Sequence, residues 1–98
     1  MNEIFFPSQY KNALLNRTKN ITIRTGNELG KYTSGKVYSA KSYAGRIWNI
    51  RIKILNVFST TLEGLSAYKI PKRSIKALQK NERIRINEKI ELLQFRVL

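Results

Sequence analysis

The chain has 98 residues and a mass of 11.4 kDa, enough for one small domain over residues 1–98 with a single core. It carries 19 Lys plus Arg against 6 acidic residues, a formal charge of +13, and contains no cysteine or histidine. Disulfides, thiolate nucleophiles, Cys/His zinc sites and histidine bases are excluded, no cofactor is implied, and the positive excess calls for a polyanionic partner.

Lysine, isoleucine and asparagine are abundant, as a low-GC coding sequence would favour, but that bias accounts neither for the many arginines nor for the lack of aspartate. The hydrophobic fraction of 42% is that of a folded domain. Residues 4–6 read as a short strand stopped by Pro7, with no signal peptide before it and no run of about 18 apolar residues after it. A cytoplasmic protein with no membrane partner is therefore expected. Ser8 is placed to cap a short helix in which Tyr10, Ala13 and Leu14 fall at i, i+3 and i+4. From Asn20 the period becomes two, which predicts a strand with Ile21 and Ile23 packed inward and Asn20, Thr22 and Arg24 on a polar face.

Gly26, Asn27 and Gly30 break that strand. Another is expected over residues 36–42, entered through a turn at Ser34-Gly35 and closed by a hairpin at Ala44-Gly45. A long strand follows over 46–58, where Ile50, Ile52 and Ile54 alternate until Leu55, Val57 and Phe58 break the phase, which predicts a bulge near Asn56. Thr60 to Leu65 reads as a capped helical turn, residues 66–70 as a connector, and Pro71 as the first turn of a helix over 72–80. Residues 83–86 and 89–98 read as closing strands. The class is α+β, a small β-barrel with two or three short helices packed against it.

The segment Lys19-Asn20-Ile21-Thr22-Ile23-Arg24 resembles the Gly-x-Lys-x-x-Thr-[Ile/Val]-Arg signature of ASCH domains, a branch of the PUA-like superfamily. Phe5-Phe6 and the short helix before it, Tyr32 to Tyr38, the long strand and Thr61 to Leu65 follow the same order, so the resemblance covers about residues 4–65. It implies a PUA-like barrel whose cleft is associated with RNA or modified nucleosides. Members that are enzymes include small bacterial N4-acetylcytidine amidohydrolases, whose site is a Lys, a Thr and a Glu. Lys19 and Thr22 match the first two, and Arg24 matches the signature arginine. The glutamate does not carry over, because residues 68–73 hold no acid; Glu63 is the mid-chain candidate, though it equally suits the first turn of a helix. The signature glycine is replaced by Arg17 or Asn16. Without a placed carboxylic acid, a threonine activated by a neutral lysine still lacks a donor for the leaving amine.

Two acid-free windows carry the charge. In the first, Lys69, Lys72, Arg73, Lys76 and Lys80 share one helical face, with no acidic partner at i, i+4; such a face either keeps a helix soluble or grips phosphates. The second runs from Glu28 to Glu63 and holds Lys36, Lys41, Arg46, Arg51 and Lys53. With Arg17, Lys19 and Arg24 these form the expected phosphate track, to which Tyr32 and Tyr43, both in predicted turns, add exposed stacking surfaces, while Trp48 belongs to the core. The reading is a nucleic-acid-binding protein, RNA in preference to DNA. Alternatives are an amidohydrolase acting on N4-acetylcytidine or a related nucleoside, and a small viral or phage regulatory protein that blocks the nucleic-acid path of a nucleoprotein complex. Oligomeric state is not readable from the residues.

Overall fold

Alternation at the start of the chain forms β1 (Glu3–Phe6), with Ile4 and Phe6 buried on one face and Phe5 half-buried on the other. Pro7 ends it and stands at the head of a 3₁₀ turn over Ser8–Tyr10, which runs straight into α1 (Lys11–Leu15). Ser8 therefore lies inside the turn, and the expected side-chain cap is not made. The computed structural model describes residues 2–81 and 83–98. The chain continues through β2 (Ile21–Thr25), a 3₁₀ turn at Gly26–Glu28, β3 (Val37–Ser42), β4 (Ile47–Thr61), a 3₁₀ segment at Glu63–Tyr68, α2 (Lys72–Asn81) and β5 (Lys89–Val97).

The five strands form one mixed sheet in the order β1-β3-β4-β5-β2, with β1 parallel to β3 and the other pairs antiparallel. The class is α+β. The sheet is curled but not a closed barrel: among the described residues no ladder joins β1 to β2. Its curvature is visible in the core, where Phe6 of β1 lies 5.9 Å from Phe95 of β5 although β3 and β4 stand between those strands.

Two apolar clusters hold the sheet. The larger fills the concave face with Ile4, Phe6, Ile50, Ile52, Ile54, Leu93 and Phe95 among others. The smaller, built on Leu62, Leu65, Ile84 and Ile90, lies on the outer face and receives Ile23, Ile70, Ile75 and Leu78. The register of β4 against β5 shifts between Ile54 and Asn56, so the inward set changes from Ile50, Ile52 and Ile54 to Val57. A bulge of this kind lets one long strand serve two cores. Gly45, with φ 84°, closes the β3–β4 hairpin, its N–H donating to Ser42 O at 2.9 Å.

Three further expectations differ. β4 runs on to Thr61, so the helical segment begins at Glu63. Lys69 is not on α2: it ends the 3₁₀ segment in the left-handed region, φ 63°, and only Lys72, Arg73, Lys76 and Lys80 ride the helix. Residues 83–86 form no strand; Ile84 anchors them by entering the outer cluster, and Ile86 O accepts from the Glu63 N–H.

Candidate functional site

β2 places Thr22 and Arg24, and it does so in the opposite sense to the alternation expected from sequence. Thr22 and Arg24 are the buried residues of this strand, whereas Ile21 and Ile23 are half-buried. The reason is that β2 has cover on both sides: Ile23 packs into the outer cluster beneath α2, which turns Thr22 and Arg24 toward the concave interior. Arg24 pairs with Glu91 and Thr22 with Leu93 across the ladder to β5.

Arg24 is 5% exposed, and its guanidinium sits between two rings, 5.0 Å from the Phe6 centroid and 5.5 Å from that of Tyr32. Its Nε is buried with no hydrogen-bond partner, and among the described residues no carboxylate lies within ion-pair distance of it. Glu91, buried directly opposite, instead accepts from the Gly30 N–H at 3.0 Å.

Lys19 precedes β2 in the loop, as it must to share a space with Thr22, and its Nζ donates to Ile21 O at 2.9 Å while lying 4.3 Å from the Tyr10 ring centroid. Burial, and then the positive charge of Arg24, hold this amine below the ordinary lysine value. The Ile21 carbonyl is available because Phe95 N–H bonds Asn20 O; in an antiparallel ladder this phase turns the backbone groups of Ile21 and Ile23 toward the open edge.

Lys19, Thr22 and Arg24 line one cleft of about 610 Å³ at the seam between the free edges of β1 and β2. Phe6, Tyr10 and Tyr43 supply its aromatic wall, and Ser74, Ala77 and Leu78 of α2 supply the opposite one. Among the described residues that line it there is no acid. Glu82 lies outside the described residues. Glu63 occupies the first turn of the 3₁₀ segment, exposed, its backbone N–H donating to Ile86 O at 2.8 Å, and it does not line the cleft.

The remaining cations are distributed over several surfaces. At 100° per residue, Lys72, Arg73, Lys76 and Lys80 fall within an arc of about 100° on the exposed side of α2, away from Ile75 and Leu78. Arg51 and Lys53 point outward from β4, opposite in phase to Ile50, Ile52 and Ile54, so they lie on the outer sheet face and not at the cleft. Lys41 is bound to Glu3, Nζ to Oε1 at 2.8 Å. Arg17 is exposed beyond α1, Arg46 in the β3–β4 turn, and Lys36 beside a second hollow on the other side of β1. The second window is thus divided among several surfaces, with Arg51 and Lys53 on the sheet face that also carries the cluster beneath α2.

Tyr43 is 65% exposed and stacks on Phe5 at 6.3 Å, as a turn residue should, and Trp48 is buried in the core. Tyr32 is the correction: it is only 6% exposed, edge-on to Tyr38 at 5.4 Å, because the loop after the Gly26–Glu28 turn folds it over Arg24. Sequence reasoning missed Glu91. Its signal was its setting in Ile90-Glu91-Leu92-Leu93, where apolar neighbours of both phases leave no exposed side for the glutamate.

Among the described residues no helix is long and apolar enough to cross a membrane. No family model matches the chain, no curated protein matches it, and no solved structure matches it.

Proposed function

We propose that the chain is a PUA-like domain of the ASCH type that binds nucleic acid, RNA in preference to DNA, with one nucleotide in the Lys19–Thr22–Arg24 cleft and the flanking backbone held by the exposed cations of α2. The observation that carries this reading is Arg24. A buried guanidinium whose Nε has no acceptor is costly to keep, and the cleft it lines presents cations and aromatic rings, the combination that an anionic, base-bearing ligand satisfies. The ASCH assignment, and with it the preference for RNA, rests on the resemblance. It is supported by Arg17, two residues before Lys19 where the signature has glycine, which adopts φ 60°, in the region that favours glycine.

Fluorescence anisotropy with single-stranded RNA, duplex RNA and duplex DNA tests the reading. With about 6–10 phosphate contacts, affinity falls by about 10³–10⁵ between 50 and 200 mM salt. Changing Lys72, Arg73, Lys76 and Lys80 together to Gln lowers the log–log salt slope on single strands by about 2.8. A flat salt response in the native protein overturns the proposal.

The depressed pKa of Lys19 in the cleft it shares with Thr22 favours a second reading, amidohydrolysis of N4-acetylcytidine or a related nucleoside, with the amine taking the Thr22 proton. Among the described residues the cleft holds no carboxylic acid to protonate the leaving amine, which is why binding is preferred. Release of cytidine by the native protein, lost in Thr22→Ala, would put the enzyme in place of the binder.

A further inference from the structure

Positive potential converges on the cleft from three elements. Arg24 enters from β2, nine-tenths buried and unpartnered at Nε. Lys19 enters from the loop before β2, lines the same cleft, and feels the positive charge of Arg24. The third source is the first turn of α2, where Ile70, Pro71 and Ser74 line the same cleft. This ten-residue helix has no acid in its first turn. Ser74 and Ile75 donate to Pro71 O, Pro71 has no N–H, and the N–H groups of Lys72 and Arg73 precede the helical ladder. The result is a helix N-terminus with free donors, an uncompensated dipole and a serine hydroxyl, beside a guanidinium fork and an ammonium.

We propose that the cleft is a phosphate-monoester site, taking the terminal phosphate of a nucleic-acid chain or of a free nucleotide between Arg24, Lys19 and the first turn of α2, with the adjoining base against Tyr10 and Tyr43. The inference rests on the nucleic-acid reading and goes beyond it by naming the group recognised. A monoester carries close to two negative charges at neutral pH, matching the two side-chain cations, whereas an internal phosphodiester carries one and is served as well by any exposed lysine. Arginine and a helix N-terminus both present several N–H donors to the three free oxygens that only a terminal phosphate offers.

The test is anisotropy with one RNA sequence carrying a 5′-phosphate, a 3′-phosphate or hydroxyls at both ends, with nucleoside monophosphate and nucleoside as competitors. One phosphorylated end binds at least about tenfold more tightly than the hydroxyl form, as charge-assisted hydrogen bonds require. That advantage shrinks as pH falls from 7.5 to 5.5, through the second phosphate ionisation near pH 6. It is lost in Lys19→Gln and in Ser74→Glu, the latter an exposed first-turn position where a carboxylate suits the helix, so folding is retained while the phosphate is repelled. Equal binding of all three RNAs overturns the inference and leaves the nucleic-acid reading standing. Binding of nucleoside monophosphate but not nucleoside, with no RNA bound, makes the free nucleotide the ligand and removes the RNA. Absence of all binding overturns both.

Discussion

Two hollows of nearly the same size touch β1 and Tyr43, and only one is chemically unfinished. The outer one, about 620 Å³, mixes Lys31 and Lys36 with Glu3 and Glu28, and its acids are engaged: Glu28 with Lys31 at 3.2 Å and Glu3 with Lys41 at 2.8 Å. The seam cleft, about 610 Å³, holds Lys19 and Arg24, and among the described residues no acid lines it. Volume does not separate the two. What separates them is that exposed ion pairs in the outer hollow are close to neutral in energy, while an unpaired cation in a partly dry cleft is a standing cost that a ligand can remove.

Replacing Arg24 by Met breaks that comparison most directly, since the seam cleft then resembles an ordinary apolar groove. The unflexed Met chain fills the space between Phe6 and Tyr32 and removes the desolvated charge, at the loss of two cation–π contacts. The free protein is expected to gain about 2 kcal/mol in urea denaturation, in the range seen when buried charges give way to well-packed apolar groups. RNA affinity at low salt falls at the same time. A variant that is less stable and still binds RNA would make Arg24 a structural residue.

Tyr32 sharpens the comparison because it lies between the hollows, lining the outer one while its ring covers Arg24. Burial chiefly, with help from the Glu28 carboxylate, pushes its hydroxyl up to about 12, against the opposing charge of Arg24. The folded value lies above the unfolded one of about 10, so this contribution is complete below pH 10 and is lost between pH 10 and 12. Two pH units correspond to at most ~2.7 kcal/mol, reduced to about 1–2 kcal/mol where solvent reaches the hydroxyl. Lys19 acts in the other direction. Its folded value lies below the ordinary 10.5, the unfolded chain holds the proton more tightly, and stability rises as pH climbs toward 10.5. Denaturation between pH 8 and 12 should therefore show a rise and then a fall. Tyr32→Phe removes the fall and Lys19→Met removes the rise; an unchanged fall in Tyr32→Phe would assign it to another group.

Local pattern was a good guide wherever one segment meets one environment. The alternation of Ile50, Ile52 and Ile54 and its slip at Leu55 specified β4 and its bulge, and Ser34-Gly35 and Ala44-Gly45 marked the turns that bound β3. Pattern failed where a second cluster covers the far side of an element. Ile21 and Ile23 look like a buried face until the outer cluster claims Ile23, and then the polar residues of β2 must turn inward. Tyr32 looked like a turn residue, but it is drawn into the core by the cation beneath it. That Lys19, Thr22 and Arg24 share one space was legible only through the resemblance, since strand periodicity puts Lys19 and Thr22 on opposite faces; α2 itself was legible from Pro71 onward, but nothing in the sequence placed it against the cleft.

The outer sheet face supplies the mildest contrast, because its cations are uncompensated like those of the seam cleft yet solvated like those of the outer hollow. Lys53 stands directly opposite Arg96 on β5, both pointing away from the core, a like-charged cross-strand pair. Such pairs are destabilising, and Arg96→Glu converts this one into an attractive pair worth about 0.2–1 kcal/mol. Strand geometry sets Arg96 about 20 Å along β5 from Ile90, which packs in the cluster beneath α2. On the proposed binding mode, RNA in the cleft and along the α2 face leaves Arg96 free, and Arg96→Glu is expected to gain its small stability with an unchanged salt slope. If the slope instead falls by about one or more, the outer face also carries phosphate, and exposure alone would suffice to recruit it without any unpaired buried charge.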